Sequence, residues 1–283
     1  MKSRLGLAFA WRVACAVMRL SDERHLGLIA AGVAFYAILA LFPAMAATIS
    51  IWSLFADPLI VRDTVDAVHE LIPDEAYRII QTQLNTLLAT TGTSLTWTTV
   101  ISLSIALYSV QSGVSALITG LNAIRGTRRR AGIARYLVSI VLTASVIAMS
   151  VMALAMIVAV PIALNFLPLG PIMAVILSIL PWAVMFALLV LVLGLFYRWG
   201  PNVPDRHGWF TPGAILAAFL WAVASVAFSA YLANFGAYNR IYGSIGAVVA
   251  MMMWLYISAY IVLLGAAVNA EIRLLRRRDR EGQ

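Results

Sequence analysis

The sequence predicts an all-α fold: a polytopic membrane protein built as a six-transmembrane-helix bundle. Three observations carry that reading. Hydrophobic residues make up 63% of the 283-residue chain and charged residues 11%, whereas a soluble domain is about one quarter charged. Charge is fenced into short stretches, and residues 27–56, 79–124, 136–197, 208–239 and 241–270 hold no Asp, Glu, Lys or Arg. Each of these runs is long enough for a helix to cross a ~30 Å hydrocarbon core, which takes ~20 apolar residues. A transmembrane barrel would instead alternate apolar and polar residues over short segments.

Residues 1–26 form the first element. Lys2 and Arg4 precede an apolar stretch that ends at Arg12, too soon for the core of a signal peptide. On a helical wheel Arg4, Arg12 and Arg19 share one sector, and Leu5, Phe9, Val13, Ala16 and Leu20 share another. That pattern suits an interfacial amphipathic helix lying on the cytoplasmic membrane surface. The membrane bundle then occupies residues 27–270, with spans at 27–56, 95–122, 136–162, 172–196, 211–233 and 244–270. Pro43 sits inside the first span, where it removes a backbone hydrogen bond and bends the helix.

Residues 57–94 lie between the first two spans. Val61, Val65, Val68 and Ile72 recur at helical spacing, as do Tyr77, Ile80, Leu84 and Leu87, with Pro73 between the sets. Two short helices carrying Asp57, Asp63, Asp66, Glu70, Asp74 and Glu75 are expected, forming a small extracytoplasmic helical cap. The uncharged run 136–197 is too long for one crossing. Asn165-Phe-Leu-Pro-Leu-Gly-Pro171 breaks it, and its turn-forming residues mark a tight hairpin between spans three and four. Residues 271–283 read as a basic cytoplasmic tail.

Loop charge sets the orientation. Five Lys/Arg lie in the N-terminal arm, five between Arg125 and Arg135, two at Arg198 and Arg206, and five from Arg273 to Arg280. With both termini inside, those seventeen of the twenty are cytoplasmic, leaving Arg62, Arg78 and Arg240 outside. Positive charge stays inside, so an N-in, C-in protein of the bacterial inner membrane is expected, and that topology requires an even number of spans.

Span two is the most polar. Ser104, Tyr108, Gln111, Ser115 and Asn122 project within one narrow sector, and polar side chains are expensive against lipid. The stripe is therefore expected to face the bundle interior, either gluing helices together or lining a path. Span six carries Trp254, Tyr256 and Tyr260, and Gly246 with Ala250 permits close helix approach. Near its cytoplasmic end, Glu271 is read either as an interfacial partner for Arg273 or as part of a path. Small-residue faces of this kind permit a homo-oligomer and equally serve packing within one bundle.

Enzyme signatures are missing. His25, His69 and His207 lie far apart, Cys15 is the sole cysteine, and no HExxH, CxxC, phosphate-binding loop or nucleophile elbow occurs. No catalytic residues, cofactor or metal are expected. Membrane lipids are the expected partners, with anionic lipids meeting the arginines at the cytoplasmic face; no nucleic acid is expected.

Several segments resemble the YihY/BrkB family of bacterial inner-membrane proteins. They are Ala30-Ala-Gly-Val-Ala-Phe-Tyr36 leading to Leu41-Phe-Pro43, Gly200-Pro-Asn202, and Pro212-Gly213 with Trp221. The most extensive is Tyr242-Gly-Ser-Ile-Gly-Ala247 running to Trp254-Leu-Tyr256, Leu264-Gly265 and Asn269-Ala-Glu271. The resemblance implies six spans, cytoplasmic termini and links to envelope or lipid-related export. Members have carried the label ribonuclease BN, regarded as a misassignment, and the resemblance supplies no catalytic or binding residues. One departure is Ala267-Val-Asn269, where the family often has a further acidic residue. The expected function is non-enzymatic transport, flippase-like, of a lipid or amphipathic molecule, with Tyr36, Gln111, Ser115, Asn122, Tyr256 and Glu271 lining or gating the path. The alternatives are a structural or assembly protein and, third, a membrane-associated ribonuclease.

Overall fold

A computed structural model of the chain describes residues 2–55, 81, 97–128, 132–166, 171–203, 208–233 and 236–281. Among these residues all regular structure is helical. The helices are α1 (Lys2–Glu23), α2 (Leu26–Phe55), α3 (Trp97–Arg125), α4 (Ile133–Phe166), α5 (Pro171–Trp199), α6 (Pro212–Ala233) and α7 (Gly236–Glu281). From α2 to α7, six helices are long and apolar enough to cross a membrane. Pro43 and Pro181 lie inside continuous helices rather than ending them. The expected extracytoplasmic cap at 57–94 lies outside the described residues apart from Gln81, and so does the hairpin tip at 167–170.

Two elements differ from expectation. The basic tail is no separate segment, because α7 runs unbroken for 46 residues and carries it. Between Glu271 and Glu281 there is no Gly or Pro to stop the helix, and Arg, Leu and Glu are good helix formers. Ile272 and Leu275 also pack on the core. The second difference concerns α1. Its apolar sector, expected to meet the membrane, turns to protein: Val13 and Val17 are buried, and Phe9 and Leu20 pack against the same core. The long α7 supplies that partner, and Ser21 and Tyr260 join the two helices through a 2.9 Å hydroxyl–hydroxyl hydrogen bond. The opposite face of α1 stays exposed, with Trp11 72% and Met18 67% accessible. His25, at φ 51°, turns the chain from α1 into α2.

The core is unevenly distributed. Leu26, Leu121, Leu142, Tyr197 and Leu263 are fully buried, and all lie toward the arginine-rich helix ends. Away from that end burial thins. On α4 nothing described beyond Thr143 is buried, on α5 nothing described before Val190, and on α6 nothing beyond Ala218. Ala247, Val248, Val249, Met251, Met252 and Met253 of α7 are all exposed, with only Ala250 buried between them. At 100° per residue those six cover about two thirds of the helix, leaving one stripe with Gly246 and Ala250 buried. The described residues are therefore packed tightly at the arginine-rich end and thinly away from it, where α2 stays paired with α3, and α6 with α7 through Phe228 stacked on Trp254 at 5.3 Å.

Candidate functional site

Three groups of polar side chains close the convergent end. The first centres on Asn122, in the last turn of α3. Its Nδ2 donates to the Ile118 carbonyl at 2.8 Å. Its Oδ1 accepts from the Thr127 hydroxyl at 3.0 Å and from the Asn202 backbone N–H at 2.8 Å. One amide thus ties the α3–α4 loop to the segment after α5. Gly200 makes that approach possible, since a Cβ there would run into the Phe196 carbonyl and the Leu121 side chain.

The second group joins α6 to α7. Thr211 caps α6, its Oγ1 accepting the Ala214 N–H at 3.2 Å, and Pro212 occupies the first helical position, where no N–H is needed. Asn269 of α7 supplies what the cap lacks. Its Oδ1 accepts the Gly213 N–H at 2.8 Å, and its Nδ2 donates to Thr211 Oγ1 at 2.9 Å. Both side chains are buried. The helices approach so closely that a Cβ on Gly213 would collide with the Gly265 carbonyl. Tyr197 of α5 seals the contact by donating to the Val262 carbonyl at 2.7 Å.

The third group bridges α3 and α4. Gln111 Nε2 donates to Ser139 Oγ at 2.9 Å, and the Thr143 hydroxyl donates to Gln111 Oε1 at 3.2 Å. Around these groups the free space is small. One cavity of about 20 Å³ is lined by Ser115, Thr119, Asn122, Arg135, Ser139 and Gly200. A second, of about 10 Å³, lies beside Tyr197, Pro201 and Asn269. The first has room for about one water molecule.

The structure brings only some of the sequence-predicted residues together. Gln111, Ser115 and Asn122 share the α3–α4 seam. Tyr36 is half-buried on α2 beside Gly113 of α3, its ring edge-on to Phe35 at 5.5 Å. Tyr256 stacks on Tyr260 at 6.0 Å, and its hydroxyl reaches the start of α2 at Gly27. Glu271 is half-buried on α7, two residues beyond Asn269. These six do not surround one cavity.

The span-two stripe needs correction. It faces the interior only along its arginine-rich half, because Ser104 and Tyr108 are exposed, Tyr108 by 68%. The divergence of α4 uncovers them, and Ser104 satisfies its own hydroxyl by donating to the Val100 carbonyl at 2.7 Å. Thr211, Tyr197, Ser139 and Thr143 were not singled out from the sequence. A Thr-Pro-Gly start to a span and two hydroxyls four residues apart are the signals that mark them. Among the described residues no three of His, Cys, Asp and Glu gather as a metal site.

Comparison with known proteins agrees with this architecture. The chain is 27% identical over 259 residues to a ribonuclease-like protein of Bacillus subtilis, YfkH, covering 88% of this chain and 90% of that one. It is 42% identical over 78 residues to a UPF0761 membrane protein of Tolumonas auensis, covering 28% of this chain and 26% of the relative. It is 38% identical over 96 residues to a UPF0761 membrane protein of Xanthomonas campestris, covering 34% and 22%. The chain thus spans about a quarter of the length of these two. No solved structure matches. The model of the virulence factor BrkB family matches residues 17–283. With six apolar spans and a family match over nearly its whole length, this chain is a membrane protein of the BrkB family.

Proposed function

We propose that this protein is a non-enzymatic, flippase-like transporter of a lipid or amphipathic molecule across the bacterial inner membrane. One observation carries the reading: the spans are sealed at the arginine-rich end and thinly packed, among the described residues, away from it. At bilayer depth α4, α6 and α7 expose apolar faces and α3 exposes the hydroxyls of Ser104 and Tyr108, a mixed surface suited to a molecule with both characters. The seal combines exchangeable side-chain hydrogen bonds with the buried leucines of that end. Alternating access would break it while the outer halves close.

Reconstituted into liposomes with an NBD-labelled phospholipid, the protein is expected to expose inner-leaflet label to external dithionite. Gln111→Ala and Asn122→Ala, which weaken the seal, should change that rate. A bleaching curve identical to protein-free liposomes would remove the transport reading. A second reading, a structural protein, draws on the fact that Gln111 and Asn122 find protein partners for their carbonyl oxygens. It fits if the same variants lose stability only.

The arginine-rich end is assigned to the cytoplasm by its positive charge. Cys15, sole cysteine of the chain and exposed on α1, makes a direct probe. A membrane-impermeant maleimide should label it in lysed cells and leave it unlabelled in intact spheroplasts. Labelling before lysis would invert the topology.

A further inference from the structure

The cavity between α3, α4 and the segment after α5 is rich in hydrogen-bond donors. Its amide acceptors are already used: Asn122 Oδ1 holds two donors and Gln111 Oε1 holds Thr143. Ser139 Oγ accepts from Gln111, while Thr119, whose proton goes to the Ser115 carbonyl, keeps an accepting oxygen. The cavity's donors are not used up. Ser139, having accepted from Gln111, keeps its own O–H, and that proton has no acceptor among the described residues. The Ser115 hydroxyl makes no side-chain hydrogen bond there either. Asn122 Nδ2 spends one hydrogen on Ile118 and retains the other. Arg135 adds a guanidinium to the lining.

Charge points the same way. No Asp or Glu occurs on α3 or α4 or among residues 200–203, so the described residues of the three elements that build this cavity bring no carboxylate to it. The amino end of α4, at Ile133, adds the partial positive charge of its dipole. A wall of leftover donors around one arginine, at the end of two spans, is complementary to a group that only accepts.

We propose that this cavity is a binding site for a phosphate-type oxyanion, carried by an anionic lipid headgroup or free in solution. The cavity of about 20 Å³ takes one oxygen. Ser139, Ser115 and Asn122 donate to that oxygen, while the rest of the group sits at the mouth against the exposed Arg135, whose planar fork suits two phosphate oxygens. The chain Thr143–Gln111–Ser139 aims every hydrogen bond toward the anion, so binding strengthens the α3–α4 seam. The site stands independently of transport, because it is a matter of occupancy and not of flux.

The test is a titration of the full chain, purified in neutral detergent, with dioleoylphosphatidylglycerol, read by native mass spectrometry with and without inorganic phosphate. Arg135→Gln is expected to weaken lipid binding about tenfold, and Ser139→Ala about threefold. Arg135→Lys, which keeps the charge and loses the fork, should fall between the wild type and Arg135→Gln. Arg276→Gln, an exposed arginine on α7, removes the same net charge elsewhere and should leave binding unchanged. Competition by inorganic phosphate supports a site open to the free anion, and lack of competition supports one specific for the lipid-borne group. The proposal is overturned if Arg135→Gln binds like the wild type, or if Arg276→Gln weakens binding equally. Because Arg135 is exposed, its replacement leaves the fold intact, and monodisperse elution of the variant verifies this.

Discussion

Gly265→Leu is expected to yield no monodisperse protein, and Gly265→Ala to lose about 3 kcal/mol of stability, the upper part of the usual range for overpacking a tight core. A single Cβ at 265 would stand 2.5 Å from the Tyr197 hydroxyl, 2.6 Å from the Gly213 carbonyl and 2.7 Å from the Ala217 Cβ. Two of those three neighbours cannot swing away: one is backbone, and the other is the stub of a side chain on a packed helix. The remaining one is held by its hydrogen bond to Val262. Relief would come only by pushing α6 from α7, which breaks the Asn269 bonds as well. Gly32→Ala is the matched control, since a Cβ on α2 at that point meets nothing within 4 Å. Removing a helix-interior glycine there should be neutral or stabilising by up to about 1 kcal/mol. Unfolding in mixed dodecyl-sulfate micelles separates the two, and equal midpoints for Gly265→Ala and Gly32→Ala would refute the close contact.

Asn269→Ala is expected to cost about 3 kcal/mol by the same measurement. The substitution deletes two hydrogen bonds and strands the Gly213 N–H, a helix-end donor with no other partner in a buried setting. An orphaned buried group costs about 1–3 kcal/mol, more than the ~0.6 kcal/mol typical of a polar contact between membrane helices, because it has nothing to re-bond to. Gln111 differs in this respect, as Ser139 and Thr143 can turn to their own helix carbonyls once it is gone. Asn269→Asp should recover about half of the loss. Its carboxylate still accepts from Gly213, sits at the positive end of α6, and can take a hydrogen bond from the Thr211 hydroxyl, though at a desolvation cost. The expected order is wild type, then Asp, then Ala. Asn269→Ala unfolding with the wild type would rule out the clasp as a stabilising element.

The extent to which the chain is legible follows from the range of each interaction. The six long apolar helices are legible because membrane insertion is decided locally, by runs such as 136–197 that carry no charge. The apolar sector of α1 was readable too, but not what it meets. Periodicity reveals a sticky face without distinguishing lipid from the flank of α7. The polar stripe from Ser104 to Asn122 was seen as one unit and is two. The point where α4 leaves α3 depends on packing that no window within α3 contains. The clasp between Asn269 and Thr211 joins residues 58 apart, so neither reads as special on its own helix. The acidic cap at 57–94 is outside the described residues.

The unbroken α7 has a mechanical consequence. At 1.5 Å per residue it is a rod of about 69 Å, held near Gly265 and Asn269. That attachment divides it unequally, with about 43 Å before Gly265 and about 18 Å beyond Asn269. A rotation about this fulcrum moves the far tip roughly two and a half times as far as the short arm. α1 rests on the long arm close to the fulcrum, where Ser21 meets Tyr260 about 8 Å before Gly265. A displacement of α1 too small to disturb its own packing is therefore geared up into a larger sweep at the opposite membrane face.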